Sequence, residues 1–322
     1  MKQLHSFLQP AMLMTVSTAT KQNFDPRGYI ELNPDIKNAF GMDYIKAYDH
    51  LLKYGLAESR CQLNYSQIIN ARKEKVLKFQ NILDLTKPHE VHDDGSLNFL
   101  SPELKEEFRV FDTSNISSNM YAYEGLENKE DCLILDCGAG FRNHYHSNVV
   151  YFEIVNYIST DIVGVGEQLP FKDNSFDAVF SCAVLEHVVN PQLCAAEIIR
   201  VCKPSGLIYC DAVFMQPYHG YPSHYFNFTP NGARLLFDKK CEVVSQTVPL
   251  YLHPIFSLQW ICREWERGVL GNDKDDFFDL SVKELLDNPI DYFLTKSYVQ
   301  NLQCEVQEVI AAGTRIIAKK IG

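Results

Sequence analysis

The amino-acid sequence predicts a protein of the α/β class, in which a mainly parallel sheet has helices on both faces and follows a small helical part. Two observations predict it. From Cys132 onward, short β-branched runs alternate with stretches of helical periodicity, which is typical of strand–helix–strand units. Before that point, capping side chains stand directly in front of prolines, as they do at the starts of helices.

The helical part can be followed from residue 24. Asp25 and Asn33 each precede a proline suited to the first helical position. Asp43 is placed to cap a third helix, which Gly55 ends. We therefore predict three short helices between residues 24 and 60.

The chain of 322 residues is long enough for about two domains. Residues 66–85 have a polar helical pattern, and a loop rich in Lys, His and Asp follows over residues 86–96. We place the boundary there. The prediction is a helical N-terminal module with its connecting helix over residues 1–85 and an α/β domain over residues 86–322.

Seven apolar runs in the second part are predicted strands. They cover residues 132–135, 149–154, 161–163, 178–181, 207–214, 242–248 and 315–318. Between the last two runs, residues 249–270 form an aromatic helical pattern with Phe256, Trp260 and Trp265. This helix is either part of the core or a cover over a binding pocket.

Composition narrows the classes of function. Hydrophobic residues make up 46% and charged residues 22% of the chain, which is the balance of a globular protein and excludes a coiled coil or a collagen-like fibre. Lys and Arg number 30 against 41 Asp and Glu, for a formal charge of −11. An acidic chain is poorly suited to the nucleic-acid backbone, so no nucleic-acid partner is expected.

The 10 cysteines contain no C-x-x-C pair, so neither a zinc ribbon nor a redox pair is predicted. Their scattered positions indicate a reducing compartment, and we expect a cytoplasmic protein. No window approaches the ~20 apolar residues of a membrane-spanning helix. The apolar patch over residues 7–16 is interrupted by Gln9 and Pro10, which makes it a poor secretory signal.

The first predicted strand runs into Asp136-Cys137-Gly138-Ala139-Gly140. An acidic residue followed by Gly-x-Gly makes a tight turn at which a ligand can approach bare backbone. The third glycine of a dinucleotide fingerprint is absent, because Arg142 stands near its place. Glu153, near the end of the second strand, could accept both hydroxyls of a ribose or could be an ordinary exposed residue.

A longer string follows in the second half of the domain. It consists of LPF at 169–171, FD at 176–177, LEH at 185–187 and KPSG at 203–206. In this order and spacing, over about residues 130–240, the sequence resembles the class I S-adenosylmethionine-dependent methyltransferases. The resemblance implies a Rossmann-like, seven-stranded methyltransferase sheet whose last strand is antiparallel.

The resemblance also implies the roles of individual residues toward the cofactor S-adenosyl-L-methionine. The loop after the first strand, with Asp136, Gly138, Ala139 and Gly140, would surround its methionine portion, and Glu153 would hold the ribose. The loop after the third strand, with Gly166 and Glu167, would flank the adenine. The end of the fourth strand, with Cys182 and Ala183, would lie beneath the sulfonium. The family often has an Asp where Val165 stands. Arg142 could clash with the cofactor or pair with its carboxylate.

Methyl transfer to a hydroxyl benefits from a general base. The candidates are His187 in the LEH string and His219 and His224 in a loop crowded with aromatic residues and prolines. His187 could instead brace the cofactor loop, and the other two could belong to a rigid lid. The histidines lack paired ligand spacing, so no metal site is predicted.

Residues 24–60 resemble a short helical module that recurs beside glycosyltransferases of bacterial surface-sugar synthesis. The resemblance implies a glycan or small hydroxyl acceptor and glycan-synthesis proteins as partners. The leading hypothesis is therefore an O-methyltransferase acting on a sugar. A methyltransferase-fold scaffold without turnover is the second hypothesis, and a nicotinamide-dependent oxidoreductase, disfavoured by the missing third glycine, is the third.

Overall fold

The computed structural model describes residues 12–13, 16–110, 132–142, 144–220 and 223–315. The N-terminal part contains three short helices and three short strands. These are β1 (Met12–Leu13), β2 (Val16–Thr18), α1 (Pro26–Leu32), α2 (Pro34–Phe40), α3 (Tyr44–His50) and β3 (Cys61–Leu63). β2 pairs antiparallel with β3, and α3 continues as a π-helical turn over Leu51–Gly55.

Side chains start two of these helices as predicted. Asp25 accepts a hydrogen bond from the Gly28 N–H at 2.9 Å, and Asp43 accepts one from the Lys46 N–H at 3.1 Å. Asn33 behaves differently, because its side-chain amide donates to the carbonyls of Tyr29 and Cys61. Asn33 therefore ties α1 to β3 and does not cap α2, so that part of the prediction is wrong.

The predicted connecting helix is α4 (Tyr65–Phe79), followed by a 3₁₀ turn over Gln80–Ile82. Its inner face carries Arg72 and Lys75, both buried. The Lys75 ammonium lies 2.6 Å from a carboxylate oxygen of Asp161, which directly precedes the sheet strand Ile162–Val163. Because a buried charge is tolerated only when paired, this contact fixes α4 against the sheet. The boundary at residue 86 stays a prediction.

The central sheet has seven strands in the order β11-β10-β6-β8-β9-β5-β4. Their bounds are β4 (Glu90–Val91), β5 (Leu97–Asn98), β6 (Ile134–Cys137), β8 (Val149–Glu153), β9 (Ile162–Val163), β10 (Phe176–Cys182) and β11 (Cys202–Asp211). All neighbours are parallel except β4 and β5. The separate strand β7 (His144–Tyr145) pairs antiparallel with β1. The predicted α/β class and seven-stranded sheet are confirmed.

The antiparallel strand of the described sheet is one that the sequence analysis did not predict. It is β4, which precedes the parallel strands in the chain, whereas the last described strand, β11, is parallel to β10. Residues 242–248 form no strand, and Val244 is 83% exposed. Without an apolar face to bury, their β-branched residues gain little from pairing. Of the predicted strand 315–318, residues 316–318 lie outside the described residues.

Helices cover the sheet and continue beyond it. They are α5 (Pro102–Glu107), α6 (Pro191–Val201), α7 (Pro230–Leu235), α8 (Pro254–Gly268), α9 (Asn272–Phe278), α10 (Val282–Asp287), α11 (Ile290–Leu294), α12 (Ser297–Gln300) and α13 (Cys304–Ile310). The predicted aromatic helix is thus α8. The helices after it share an apolar cluster that includes Val269, Phe293 and Val306. No helix in the described ranges has the length and apolar character needed to span a bilayer.

Candidate active site

A cavity of about 470 Å³ opens at the carboxyl ends of β6, β8 and β10. From β6 the chain continues to β8 and β9 on one side and then returns to β10 and β11 on the other side. The strand order therefore reverses next to β6, and open α/β sheets bind ligands at such a point. The cavity brings together nine of the residues predicted from the sequence. They are Gly138, Gly140, Glu153, Gly166, Glu167, Cys182, Ala183, His187 and His219.

The glycine loop after β6 has the conformation that only glycine adopts easily. Gly138 has φ of +76° and Gly140 has φ of +60°. A Cβ on Gly138 would lie 2.4 Å from a methyl carbon of Val184. The backbone N–H groups of Gly138 and Ala139 both donate to the Phe152 carbonyl, at 2.9 and 3.1 Å. The loop is therefore pinned to β8 and closely packed on one side.

Glu153 links the end of β8 to this loop. One carboxylate oxygen accepts from the Gly140 N–H at 2.7 Å, and the other accepts from the Ile154 N–H at 2.8 Å. Burial raises the pKa of Glu153, although both backbone hydrogen bonds favour the ionised form. Each oxygen keeps a second lone pair for a ligand. The side chain is thus a brace of the loop and a wall of the cavity.

Asp136 lies beneath the loop and is fully buried. The Arg142 Nε–H donates to a carboxylate oxygen of Asp136 at 2.9 Å, and Nη2 of the same guanidinium lies 2.7 Å from that oxygen. Arg142 is not among the residues that line the cavity. The sequence analysis considered a clash with the cofactor or a pair with its carboxylate, and it did not consider this pairing with Asp136. The backbone N–H of Arg142 donates to the Ser159 hydroxyl at 3.1 Å, which fixes the chain where a third glycine would stand.

The loop after β9 forms a second wall. A Cβ on Gly166 would lie 2.7 Å from the sulfur of Cys194, so a side chain there would displace α6. Glu167 accepts from the Asn190 N–H at 3.2 Å, and burial raises its pKa. Val165, at the position where the family often has an Asp, is buried and lines the cavity. This wall is therefore apolar, with one carboxyl group.

The floor is formed where β10 ends. Ala183 has φ of +54°, a conformation that costs a residue with a Cβ roughly 1–2 kcal/mol. Its N–H donates to the Asp211 carbonyl at 2.9 Å, which holds the turn in place. Burial raises the pKa of the neighbouring Cys182 thiol, so a neutral sulfur faces the cavity.

Three histidines meet on the far side of the cavity. The ring of His219 lies 5.1 Å from that of His187 and 4.2 Å from that of His224. His187 Nδ1 lies 2.7 Å from the Ser223 carbonyl, and His219 Nδ1 lies 2.9 Å from the Pro217 carbonyl. A carbonyl can only accept, so each Nδ1 carries the hydrogen and each Nε2 keeps its lone pair.

Burial affects the protonation of these rings. It lowers the pKa of His187 to about 4 and also lowers the pKa of His219. Both rings are therefore neutral at pH 7.

His224 uses both ring nitrogens inside the loop. Its Nδ1 accepts from the His219 N–H at 3.2 Å, and its Nε2 donates to the Phe226 carbonyl at 2.9 Å. No ring lone pair is left to take a proton from a substrate. This geometry favours a positioning role for His224 and leaves His187 and His219 as the candidate bases.

Two residues that the sequence analysis did not assign to the site, Glu186 and Arg109, join it together with Trp260 of the predicted aromatic helix. Glu186 is fully buried, and burial raises its pKa to about 8. Arg109, just after α5, brings a positive charge to the cavity from the segment between β5 and β6. Trp260 of α8 lines the cavity and lies 5.1 Å from the His219 ring. The aromatic helix is therefore a cover over the pocket, one of its two predicted roles.

The sequence matches known proteins over this same region. Residues 135–210 match the family model of a methyltransferase domain. An uncharacterized protein of Methanocaldococcus jannaschii is 41% identical over 92 residues, which cover 25% of this chain and 40% of that protein. An uncharacterized methyltransferase of Mycobacterium tuberculosis is 38% identical over 73 residues, which cover 21% of this chain and 29% of that protein. The chain thus spans less than half the length of these curated relatives.

Parts of the chain are similar to proteins of known structure. A protein of Thermotoga maritima, described as an S-adenosylmethionine-dependent and possible histamine N-methyltransferase, is 22% identical, with a TM-score of 0.22 and coverage of 26% of this chain and 45% of that one. The YcgJ protein of Bacillus subtilis is 16% identical, with a TM-score of 0.29 and coverage of 45% and 80%. The sequence matches therefore show that the segment from the glycine loop to β11 is similar to methyltransferase domains.

Proposed function

We propose that the protein is an S-adenosylmethionine-dependent methyltransferase that methylates an oxygen of a sugar, a glycan or another small hydroxyl compound. The observation that supports it is one cavity in which the glycine loop and Glu153 face two histidines with open Nε2 atoms. The glycine loop and Glu153 suit the methyl donor, and the histidines suit a hydroxyl acceptor.

The residues present fit the cofactor. The close packing behind Gly138 leaves bare backbone toward the cavity, which suits the methionine portion beside Ala139 and Gly140. The two remaining lone pairs of Glu153 match the two ribose hydroxyls. Glu167 and backbone beside Gly166 are the groups available to the adenine amino group, since Val165 has no polar atom in its side chain.

The donor supplies an activated methyl group together with its own leaving group. The protein then has to hold the acceptor in line and exclude water. His187 or His219 would accept the hydroxyl proton through Nε2, and Trp260 offers an aromatic face on which a sugar ring can stack. The preference for a glycan and for glycan-synthesis partners depends on the resemblance of residues 24–60. The cytoplasmic location is supported by the 10 free cysteines.

The proposed function is tested by calorimetric titration with S-adenosylhomocysteine and by transfer of a labelled methyl group to a panel of sugars and small alcohols. We expect one S-adenosylhomocysteine per chain and label on a hydroxyl-bearing acceptor. Binding of the cofactor product without transfer to any acceptor would favour the scaffold hypothesis. Binding of a nicotinamide cofactor in its place would contradict the proposal.

Replacing Arg109 with alanine should weaken binding of S-adenosylhomocysteine by up to about 5-fold, because exposed charge pairs contribute up to about 1 kcal/mol. Arg109 is exposed and lines the cavity, where its guanidinium would attract the carboxylate of the methionine portion. Arg109→Lys should keep most of the affinity. Lys105→Ala, an exposed cation on α5 outside the cavity lining, is the matched control. Equal losses in both alanine variants would show a general charge effect and not a contact.

A further inference from the structure

A carboxylate and two imidazoles converge at the histidine side of the cavity. One ligand atom from each of Glu186, His187 and His219 lies within 4.8 Å of the other two. Glu186 and His187 come from the 3₁₀ turn after β10, and His219 comes from the loop after β11. Two separate segments therefore bring nitrogen and oxygen donors to one point.

The histidines are already held as metal-binding histidines are. Each donates its Nδ1 hydrogen to a backbone carbonyl, Ser223 for His187 and Pro217 for His219. Such a bond fixes the ring and directs the Nε2 lone pair at the ion. His224 supports the arrangement, because its Nδ1 accepts the backbone N–H of His219.

The carboxylate gives an independent indication. Glu186 is 0% exposed, and neither of its side-chain oxygens has a hydrogen-bond partner among the described residues. One of these oxygens lies 3.9 Å from His187 Nε2. Burying a carboxylate without a partner is costly, whereas coordination to a cation removes that cost.

We propose that Glu186, His187 and His219 form a binding site for a divalent first-row transition ion, such as Mn²⁺, Co²⁺ or Zn²⁺. One oxygen and two imidazole nitrogens suit these ions better than Mg²⁺ or Ca²⁺, which take oxygen ligands. With bonds of about 2.0–2.2 Å, adjacent donors on one ion are about 3.0–3.6 Å apart. The donor atoms here lie within 4.8 Å of one another, so binding needs a shift of up to about 1 Å in each side chain.

The ion's role in catalysis rests on the proposed function. Three protein ligands leave coordination positions open to the cavity that also contains Cys182 and Gly138. An acceptor with two adjacent oxygens, such as a vicinal diol, would occupy them. Coordination lowers the pKa of the hydroxyl, so its proton is released to bulk solvent as the acceptor binds. The oxygen then bonds to the methyl carbon, and sulfur keeps the electron pair of the broken carbon–sulfur bond. His187 and His219 are ligands in this scheme and not bases.

The test is titration of the full, metal-stripped chain with Co²⁺ and with Mn²⁺, followed by visible absorption and by calorimetry. We expect one ion per chain and a Co²⁺ spectrum of nitrogen and oxygen ligands. Glu186→Gln and His219→Gln should each weaken the affinity by about 100-fold or more, since loss of even an outer partner costs 10- to 100-fold. His89→Gln, an exposed histidine outside the cavity lining, should bind as the unmodified chain does.

Two results would overturn the site: dissociation constants above about 1 mM, or equal binding by both ligand variants and the unmodified chain. Glu186→Gln changes a fully buried residue, and this variant could fail to fold. His219→Gln changes a loop residue and tests the site in that case. Titration with S-adenosylhomocysteine separates the two proposals. Cofactor binding without metal binding removes only the metal site, whereas metal binding without cofactor binding removes only the methyl-transfer function.

Discussion

Gly138→Val is expected to abolish binding of S-adenosylhomocysteine, with a loss of about 100-fold or more. The new Cβ would lie 2.4 Å from Val184, and φ of +76° is unfavourable for any residue with a Cβ. Overlap and backbone strain each cost on the order of 1–3 kcal/mol. The loop would have to move into the space that the methionine portion needs. Calorimetry measures the affinity, and urea unfolding measures the stability.

The matched control for this variant is Gly41→Val. Gly41 also has a positive φ, of +59°, but no atom lies within 4 Å of its added Cβ. It should lose stability through strain alone and keep the affinity. Combining Gly138→Ala with Val184→Ala removes the overlap and should recover part of the stability. A folded Gly138→Val protein with normal affinity would show that the cofactor binds elsewhere.

Glu153→Ala is expected to weaken binding of S-adenosylhomocysteine by about 100-fold, since charge-assisted hydrogen bonds contribute about 1.5–3 kcal/mol each. The variant loses the acceptors for the ribose and the bond that holds the Gly140 N–H. Glu153→Gln keeps one oxygen and should lose about 10-fold. Glu74→Ala, an exposed residue of α4, is the control. Normal affinity of Glu153→Ala would contradict the ribose assignment.

The buried carboxyl group of Glu153 should also make the stability of the protein depend on pH. Burial raises the pKa of Glu153 in the folded protein, so the folded state binds the proton more tightly than the unfolded state does. The free energy of unfolding of the unmodified chain should therefore fall, relative to Glu153→Gln, as the pH rises through the ordinary glutamate pKa and then the raised one. Urea unfolding across this pH window measures the difference. A constant difference would show that the carboxyl does not titrate as inferred.

The sequence by itself determined the parts of the molecule whose signals are local. Helix starts at Asp25 and Asp43 depend on a side chain three positions from its partner. The parallel strands are continuous apolar runs because both faces of the sheet are buried. The glycine loop and Glu153 stand at the ends of two such strands, and parallel strands that are neighbours bring their ends together. Topology alone therefore places these residues in one cavity.

Other features required the tertiary structure because their partners are distant in the chain. The antiparallel strand β4 and its partner β5 are only two residues long, too short for any periodicity to be read. The pairing of Arg142 with Asp136 and the use of both His224 nitrogens depend on loop conformations that no local pattern specifies. The sequence suggests several roles for Arg142 and His224, but it does not decide between them.

Glu186 shows the same limit at the centre of the site. In the sequence it is one letter of the LEH string, and His219 follows more than thirty positions later. Metal-ligand spacing is recognisable in sequence when ligands share a turn or a helix, whereas here a turn after β10 and a loop after β11 supply them. Residue chemistry and order along the strands were enough to predict that the glycine loop and Glu153 lie together. The surroundings of the histidines were decided by long-range packing, which buries Glu186 and brings donor atoms of His187 and His219 within 4.8 Å of it.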